Sequence, residues 1–186
     1  MNKLGPSTLS IQKSLMPLPD ADRSALLDNP GFGKAFSDHM VTIRYTEGRG
    51  WHDGKVEARG MLPLDPSTMV LHYAQEIFEG LKAYPQPDGG AALFRPDANA
   101  RRFQKSATRL AMAPLPEELF LEAVHAIVSE DRGWIPRAEG SALYLRPFMI
   151  ATEAALGVRP SSEYLFCIFA SPAGNYFKGG AAGITL

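Results

Sequence analysis

"ALYLRPFMIATEAALGVRP" (Ala142 to Pro160) is an apolar run with an arginine in its middle. Read at period two, Leu143, Leu145, Pro147 and Met149 fall on one face of a strand, and Tyr144, Arg146, Phe148 and Ile150 fall on the other. Tyr144 and Arg146 then point the same way, about 7 Å apart along the strand. A buried guanidinium without an anionic partner is costly. Arg146 therefore has three fates: it reaches water, it pairs with an internal carboxylate such as Glu153, or it awaits an anionic ligand. Pro147 beside it favours a strand that borders a cleft over one at a sheet centre.

Outward from this strand, hairpins and helices alternate irregularly. "HMVTIRYTEG" (residues 39–48) reads as a strand, followed by a turn-rich "EGRGWHDGK". "DPSTMVLHYAQEIFEGLKAY" reads as a helix and then a strand, with Asp65 placed to cap, Pro66 in the first turn and Gly80 as terminator. On that reading Phe78 is a core side chain and Tyr73 an interfacial ring. "LKAYPQPDGGAALF" is a hairpin with "PQPDGG" as its turn. A second helix runs through "RPDANARRFQKSATRLAMAP". A third runs through "PEELFLEAVHAIVSEDRGW", with Leu119, Phe120, Ala123, Val124 and Ile127 as its core stripe. "SEYLFCIFAS" is a further strand. Hairpins at two places, with helices between strands, predict an α+β domain with a mixed or antiparallel sheet and flanking helices.

The expected organisation is an arm over residues 1–31, with a short helix near "DADRSALL", and an α+β domain over residues 32–172. A linker over residues 173–181 follows. "ITL" in residues 182–186 reads as the first strand of a larger C-terminal domain outside this text.

The bulk numbers exclude several classes. The 186 residues are 45% hydrophobic and 21% charged, with a formal net charge of −1. No bulk electrostatic pull toward nucleic acid or membrane follows from that balance. No stretch approaches the roughly 20 apolar residues of a membrane span. The N-terminus has no apolar signal core, so a reducing cytoplasm is expected. The single cysteine, Cys167, reads as a small core hydrophobe. His39, His52, His72 and His125 share no ligand spacing, so no metal site is expected. The text has no phosphate-binding glycine loop and no nucleophile elbow.

The second helix is basic: Arg101, Arg102, Lys105 and Arg109 lie within three turns. A solvated basic face explains Lys105 and Arg109. Arg102 differs if an anion sits near the first turn, where the helix dipole and a guanidinium both favour a phosphate.

"FGKAFSDHM", "LHYAQEIFEGLKAY", "LFRPDANARRF", "LYLRPFMIATEAALGVRP" and "SPAGNYFKGG" together resemble the branched-chain amino acid aminotransferases, pyridoxal 5'-phosphate enzymes of fold type IV. The resemblance implies the smaller N-terminal domain and the linker of such an enzyme. It implies reversible transfer of an amino group between Leu, Ile or Val and 2-oxoglutarate, giving branched-chain 2-oxo acids and glutamate. By the matched motifs, Arg102 grips the cofactor phosphate. Phe32, Tyr73, Phe78 and Tyr144 wall the substrate pocket, with Arg146 on its rim, and Tyr176 closes on the substrate. Leu156 and Val158 belong to a loop that reaches a partner subunit, implying a homodimer. The family's Schiff-base lysine falls beyond Leu186, and Lys178 does not match its motif. The chain alone is therefore expected to be inactive. Other fold type IV enzymes, such as D-amino acid aminotransferases and aminodeoxychorismate lyases, are the alternatives, as is a catalytically inert fragment.

Overall fold

The structure, a computed structural model, describes residues 9–174. In chain order the elements are β1 (Ser10–Ile11), α1 (Asp20–Asp28), β2 (His39–Thr46), β3 (Gly50–Ala58), α2 (Met69–Tyr73), β4 (Glu76–Phe78) and β5 (Leu81–Pro85). They continue with β6 (Ala91–Leu93), α3 (Pro96–Arg109), α4 (Glu117–Glu130), a 3-10 turn (Arg132–Trp134), β7 (Ala142–Ala151) and β8 (Glu163–Ala173). The strands form one sheet in the order β1-β3-β2-β8-β7-β5-β6, and β4 also pairs with β7. All pairs are antiparallel except β1 with β3. This is the expected α+β architecture.

The alternation in "ALYLRPFMIA" produces a two-faced strand. Leu143, Leu145 and Met149 are fully buried, and Tyr144, Arg146 and Phe148 are half-buried. The buried set joins Val41, Ile43, Phe166 and Ile168 from neighbouring strands to make the core with the helices. At its centre three rings meet: Phe103 of α3, Phe120 of α4 and Phe166 of β8, with centroids 5.5 to 5.9 Å apart. The α4 stripe is buried as expected at Phe120, Ala123, Val124 and Ile127, while Leu119 is only partly covered. Cys167 is buried on β8, and burial pushes its thiol up to about 12, which keeps it an unreactive hydrophobe at neutral pH.

Three sequence expectations are corrected here. The helix read from Asp65 toward Gly80 shrinks to α2, five residues. Asp65 caps a tight turn instead, its carboxylate accepting from the backbone N–H (2.8 Å) and hydroxyl (2.6 Å) of Ser67. Ala74 then leaves the helix in the left-handed region, φ 51°. Residues 76–78 join the free edge of β7, so sheet pairing wins over helical spacing. Phe78 is consequently not a core side chain: it is 63% exposed. Finally, β7 lies inside the sheet and not at its edge, because it has β8 along one side and β4 and β5 along the other. Pro147 is tolerated there because it sits between those two short partners. It lacks an N–H, and its carbonyl accepts from Glu79 N–H (2.8 Å) in the corner that separates them.

Residues 14 and 18 are tied to the start of β2. Ser14 N–H donates to His39 Nε2 (2.9 Å), and Leu18 N–H donates to the Asp38 carboxylate (2.9 Å). His39 in turn bonds the buried Asp131 through Nδ1 (2.7 Å).

Phe166→Ala is expected to cost about 3–5 kcal/mol of stability in urea unfolding, since it empties the centre of the ring cluster. Phe78→Ala is expected to cost less than about 1 kcal/mol, because little apolar area is withdrawn from water there. Equal losses would contradict the two-faced reading of the sheet.

Candidate functional site

The sheet face turned away from α3 and α4 carries an aromatic and cationic cluster. Arg146 stacks over Phe78, 4.6 Å from guanidinium carbon to ring centroid, and beside the Tyr144 ring at 5.4 Å. Its Nη2 and Nε donate to the Tyr144 hydroxyl at 2.8 and 3.2 Å. Phe32 meets the Tyr144 ring edge-on at 5.4 Å. Tyr144 is positioned by Gly80, where an added Cβ would lie 2.5 Å from the hydroxyl and 3.1 Å from the ring carbon bearing it. The structure thus brings Phe32, Phe78, Tyr144 and Arg146 together. Among the described residues no carboxylate lies within ion-pair distance of Arg146. Of its three possible fates, pairing with Glu153 is set aside: that carboxylate takes Arg159.

Tyr73 is elsewhere. Its hydroxyl accepts from the Gly157 N–H (2.7 Å), so it is grouped with the loop that carries Leu156 and Val158. Leu156 is 72% exposed and Val158 93%. The loop's ends are closed by Glu153, which accepts from both Arg159 Nη groups and from Ser162 N–H (2.8 Å). Those bonds, the Arg159 guanidinium foremost, hold the Glu153 carboxyl down at about 2, against an ordinary 4.5. Sequence spacing offered no sign of this pair.

Arg102 lies in the second turn of α3, on a face shared with Asn99. Its Nε and Nη2 form a parallel fork onto Glu79, both at 2.6 Å. Glu79 is 4% exposed, whereas the Arg102 side chain is 65% exposed. The guanidinium is thus held along one edge and open along the other. Arg101 differs: it pairs with Asp97 and Glu117 on the surface. Glu79, between Phe78 and Gly80, is a site residue that no spacing in the sequence marks. Tyr176 and Lys178 lie outside the described residues.

Among the described residues no three His, Cys, Asp or Glu side chains group as a metal site. No helix there is long and apolar enough to cross a membrane.

Comparison with known proteins agrees with the motif resemblance. No family model matches the chain. The chain is 58% identical over 180 residues to a probable branched-chain-amino-acid aminotransferase of Streptomyces coelicolor, covering 96% of this chain and 50% of that protein. It is 53% identical over 183 residues to the branched-chain-amino-acid aminotransferase of Mycolicibacterium smegmatis, covering 98% of this chain and 50% of that one. A solved branched-chain amino acid aminotransferase complexed with N-(5'-phosphopyridoxyl)-L-glutamate is 27% identical with a TM-score of 0.51, over 73% of this chain and 41% of that one. The Thermoproteus uzoniensis enzyme, 20% identical with a TM-score of 0.58, shows the same fold over 75% of this chain and 43% of its own. The chain is homologous to these aminotransferases along nearly all its length, and it spans about half the length of the curated relatives it matches.

The Glu153 carboxyl yields a pH prediction. Its folded pKa, about 2, lies below the ordinary 4.5, so its contribution to stability is complete above pH 4.5 and is lost as pH falls from there toward 2. Urea unfolding followed across that window should show the loss, and Glu153→Gln should flatten it. An unchanged acid limb in the variant would contradict the pairing.

Proposed function

We propose that this chain is the N-terminal portion of a branched-chain amino acid aminotransferase, half of a cleft that closes on pyridoxal 5'-phosphate and its amino-acid substrates. The observation that supports it best is the joint placement of Phe32, Phe78, Tyr144 and Arg146 on one open face, in a chain homologous to such enzymes. Pyridoxal phosphate, when bound, supplies an aldehyde for the amino group and a pyridine ring that draws electrons from the reacting carbon.

The residues here fit that group. Arg102 keeps one guanidinium edge free, and in this reading that edge holds the phosphate. The substrate end has to accept an aliphatic side chain and, in the reverse half-reaction, one that ends in a carboxylate. Phe32, Phe78 and the Tyr144 ring present apolar surface to the first. The Tyr144 hydroxyl and the Arg146 guanidinium offer charge-assisted hydrogen bonds to the second. Stacking over Phe78 keeps Arg146 in place while it is unpaired, so an apolar substrate does not strand a buried charge. Tyr176, which the motif match assigns to closing on the substrate, and a lysine beyond Leu186 complete the assignment.

The exposed Leu156 and Val158, on a loop braced by Glu153 and hydrogen-bonded to Tyr73, support a homodimer in which this loop enters the partner's pocket. A cytoplasmic site of action goes with this reading.

Steady-state kinetics of the enzyme test the assignment. Arg146→Ala should lower kcat/KM for 2-oxoglutarate by about tenfold or more while changing that for leucine by less than about threefold. Gly80→Ala, which displaces Tyr144, should act in the same direction with smaller size. Equal losses for the two substrates would defeat the reading.

A further inference from the structure

We infer that Glu79 is the positioning residue for the cofactor's phosphate, acting through Arg102; this rests on the reading of Arg102 given above. Glu79 occupies the corner between β4 and β5, where its N–H bonds the Pro147 carbonyl. A carboxylate this deeply buried is costly unless its oxygens are bonded. They are: Oε1 accepts from Arg102 Nε (2.6 Å), and Oε2 accepts from Arg102 Nη2 (2.6 Å), Asn99 Nδ2 (2.8 Å) and Gly80 N–H (3.3 Å). Asn99 Nδ2 also donates to the Gly80 carbonyl (3.2 Å). Asn99 and Arg102 are three residues apart on α3, so one helix face is tied to one sheet corner.

The consequence for Arg102 is direction. An arginine as exposed as this one samples many rotamers when it has no second anchor. The fork onto Glu79 removes that freedom before any ligand arrives, and the planar group then presents its remaining N–H donors along a fixed line. The carboxylate's charge also opposes an incoming phosphate. It lies on the far edge of the guanidinium, however, several ångströms further off and with solvent near, so orientation outweighs repulsion. The neighbours of Glu79 matter too. Phe78 carries the Arg146 stack, and Gly80 accommodates the Tyr144 ring. Three consecutive residues thereby set the phosphate arm and the substrate end in a common frame.

The test uses the enzyme stripped of cofactor and titrated with pyridoxal 5'-phosphate and, separately, with pyridoxal, followed by absorbance. Glu79→Gln keeps the shape but turns an amide N–H₂ toward a guanidinium donor, which breaks the fork. It should raise the Kd for pyridoxal 5'-phosphate about tenfold and leave that for pyridoxal within about twofold. In an Arg102→Ala background it should add nothing. Equal rises for both probes would assign Glu79 a purely structural role and overturn the inference. An unchanged or tighter Kd for pyridoxal 5'-phosphate, or a loss that persists without Arg102, would also overturn it. Should Glu79→Gln not fold, Glu79→Asp, too short to span the fork, replaces it with the same outcomes. If Arg102→Ala leaves the preference for the phosphorylated probe intact, the cofactor reading falls together with the inference. If Arg102→Ala abolishes that preference and the Glu79 variant does not alter it, only the inference falls.

Discussion

A carboxylate buried inside a small domain has to be surrounded by donors, and the Glu79 corner is built around that requirement. Arg102 supplies two of them and Asn99 and Gly80 the others, which draws α3 onto the break between β4 and β5. The break exists because Pro147 brings no N–H to that edge of β7. The register is the same on both sides of residues 79–80, so what is missing is the ladder bond that the proline cannot donate. Gly80, which has no Cβ to meet the Tyr144 hydroxyl, gives that ring its room beside the corner.

The rest of the arrangement follows from the two faces of β7. One face is spent on the core, where Leu143, Leu145 and Met149 meet helices α3 and α4 through the Phe103, Phe120 and Phe166 cluster. That packing makes the sheet a rigid platform. The other face keeps Tyr144, Arg146 and Phe148 only half covered. Rigid backing with an open, polar-tipped aromatic front suits a surface that completes itself against something else. Arg146, held between Phe78 and Tyr144 with no carboxylate among the described residues in ion-pair reach, is a cation kept ready by stacking, and Arg102 is one kept ready by a fork. The two devices differ because the demands differ. The rim has to tolerate an apolar occupant, whereas a phosphate grip does not.

The sequence discloses the parts of this that depend on period. Alternation over residues 142–151 predicts both faces of β7, and the i, i+3, i+4 stripe of α4 predicts its buried side. It is silent where long-range pairing decides. The apolar spacing of Val70, Leu71, Ala74, Ile77 and Phe78 is helical, but the free edge of β7 claims residues 76–78, so α2 stops at Tyr73 and Phe78 turns outward. Pro147 reads as an edge residue until two short strands are seen to share one side of β7. Tyr73 reads from its pattern as an interfacial ring, and nothing in its spacing announces the hydrogen bond that ties it to the 156–158 loop. Glu79 is one acidic residue among many in the text. Its importance comes from burial beside an arginine 23 residues away, and no spacing rule encodes that. The roles of Arg102, Arg146 and Tyr176 enter through family motifs, not through periodicity.

The central claim is that the open edge of Arg102 faces a cofactor phosphate while Glu79 holds the opposite edge. A crystal structure of the complete enzyme with pyridoxal 5'-phosphate bound measures this directly. The account predicts a phosphate oxygen within about 2.7–3.1 Å of Arg102 Nη1 or Nη2, with the Glu79 fork still in place on the other side. A phosphate held by other groups, with Arg102 turned to bulk solvent, would contradict it.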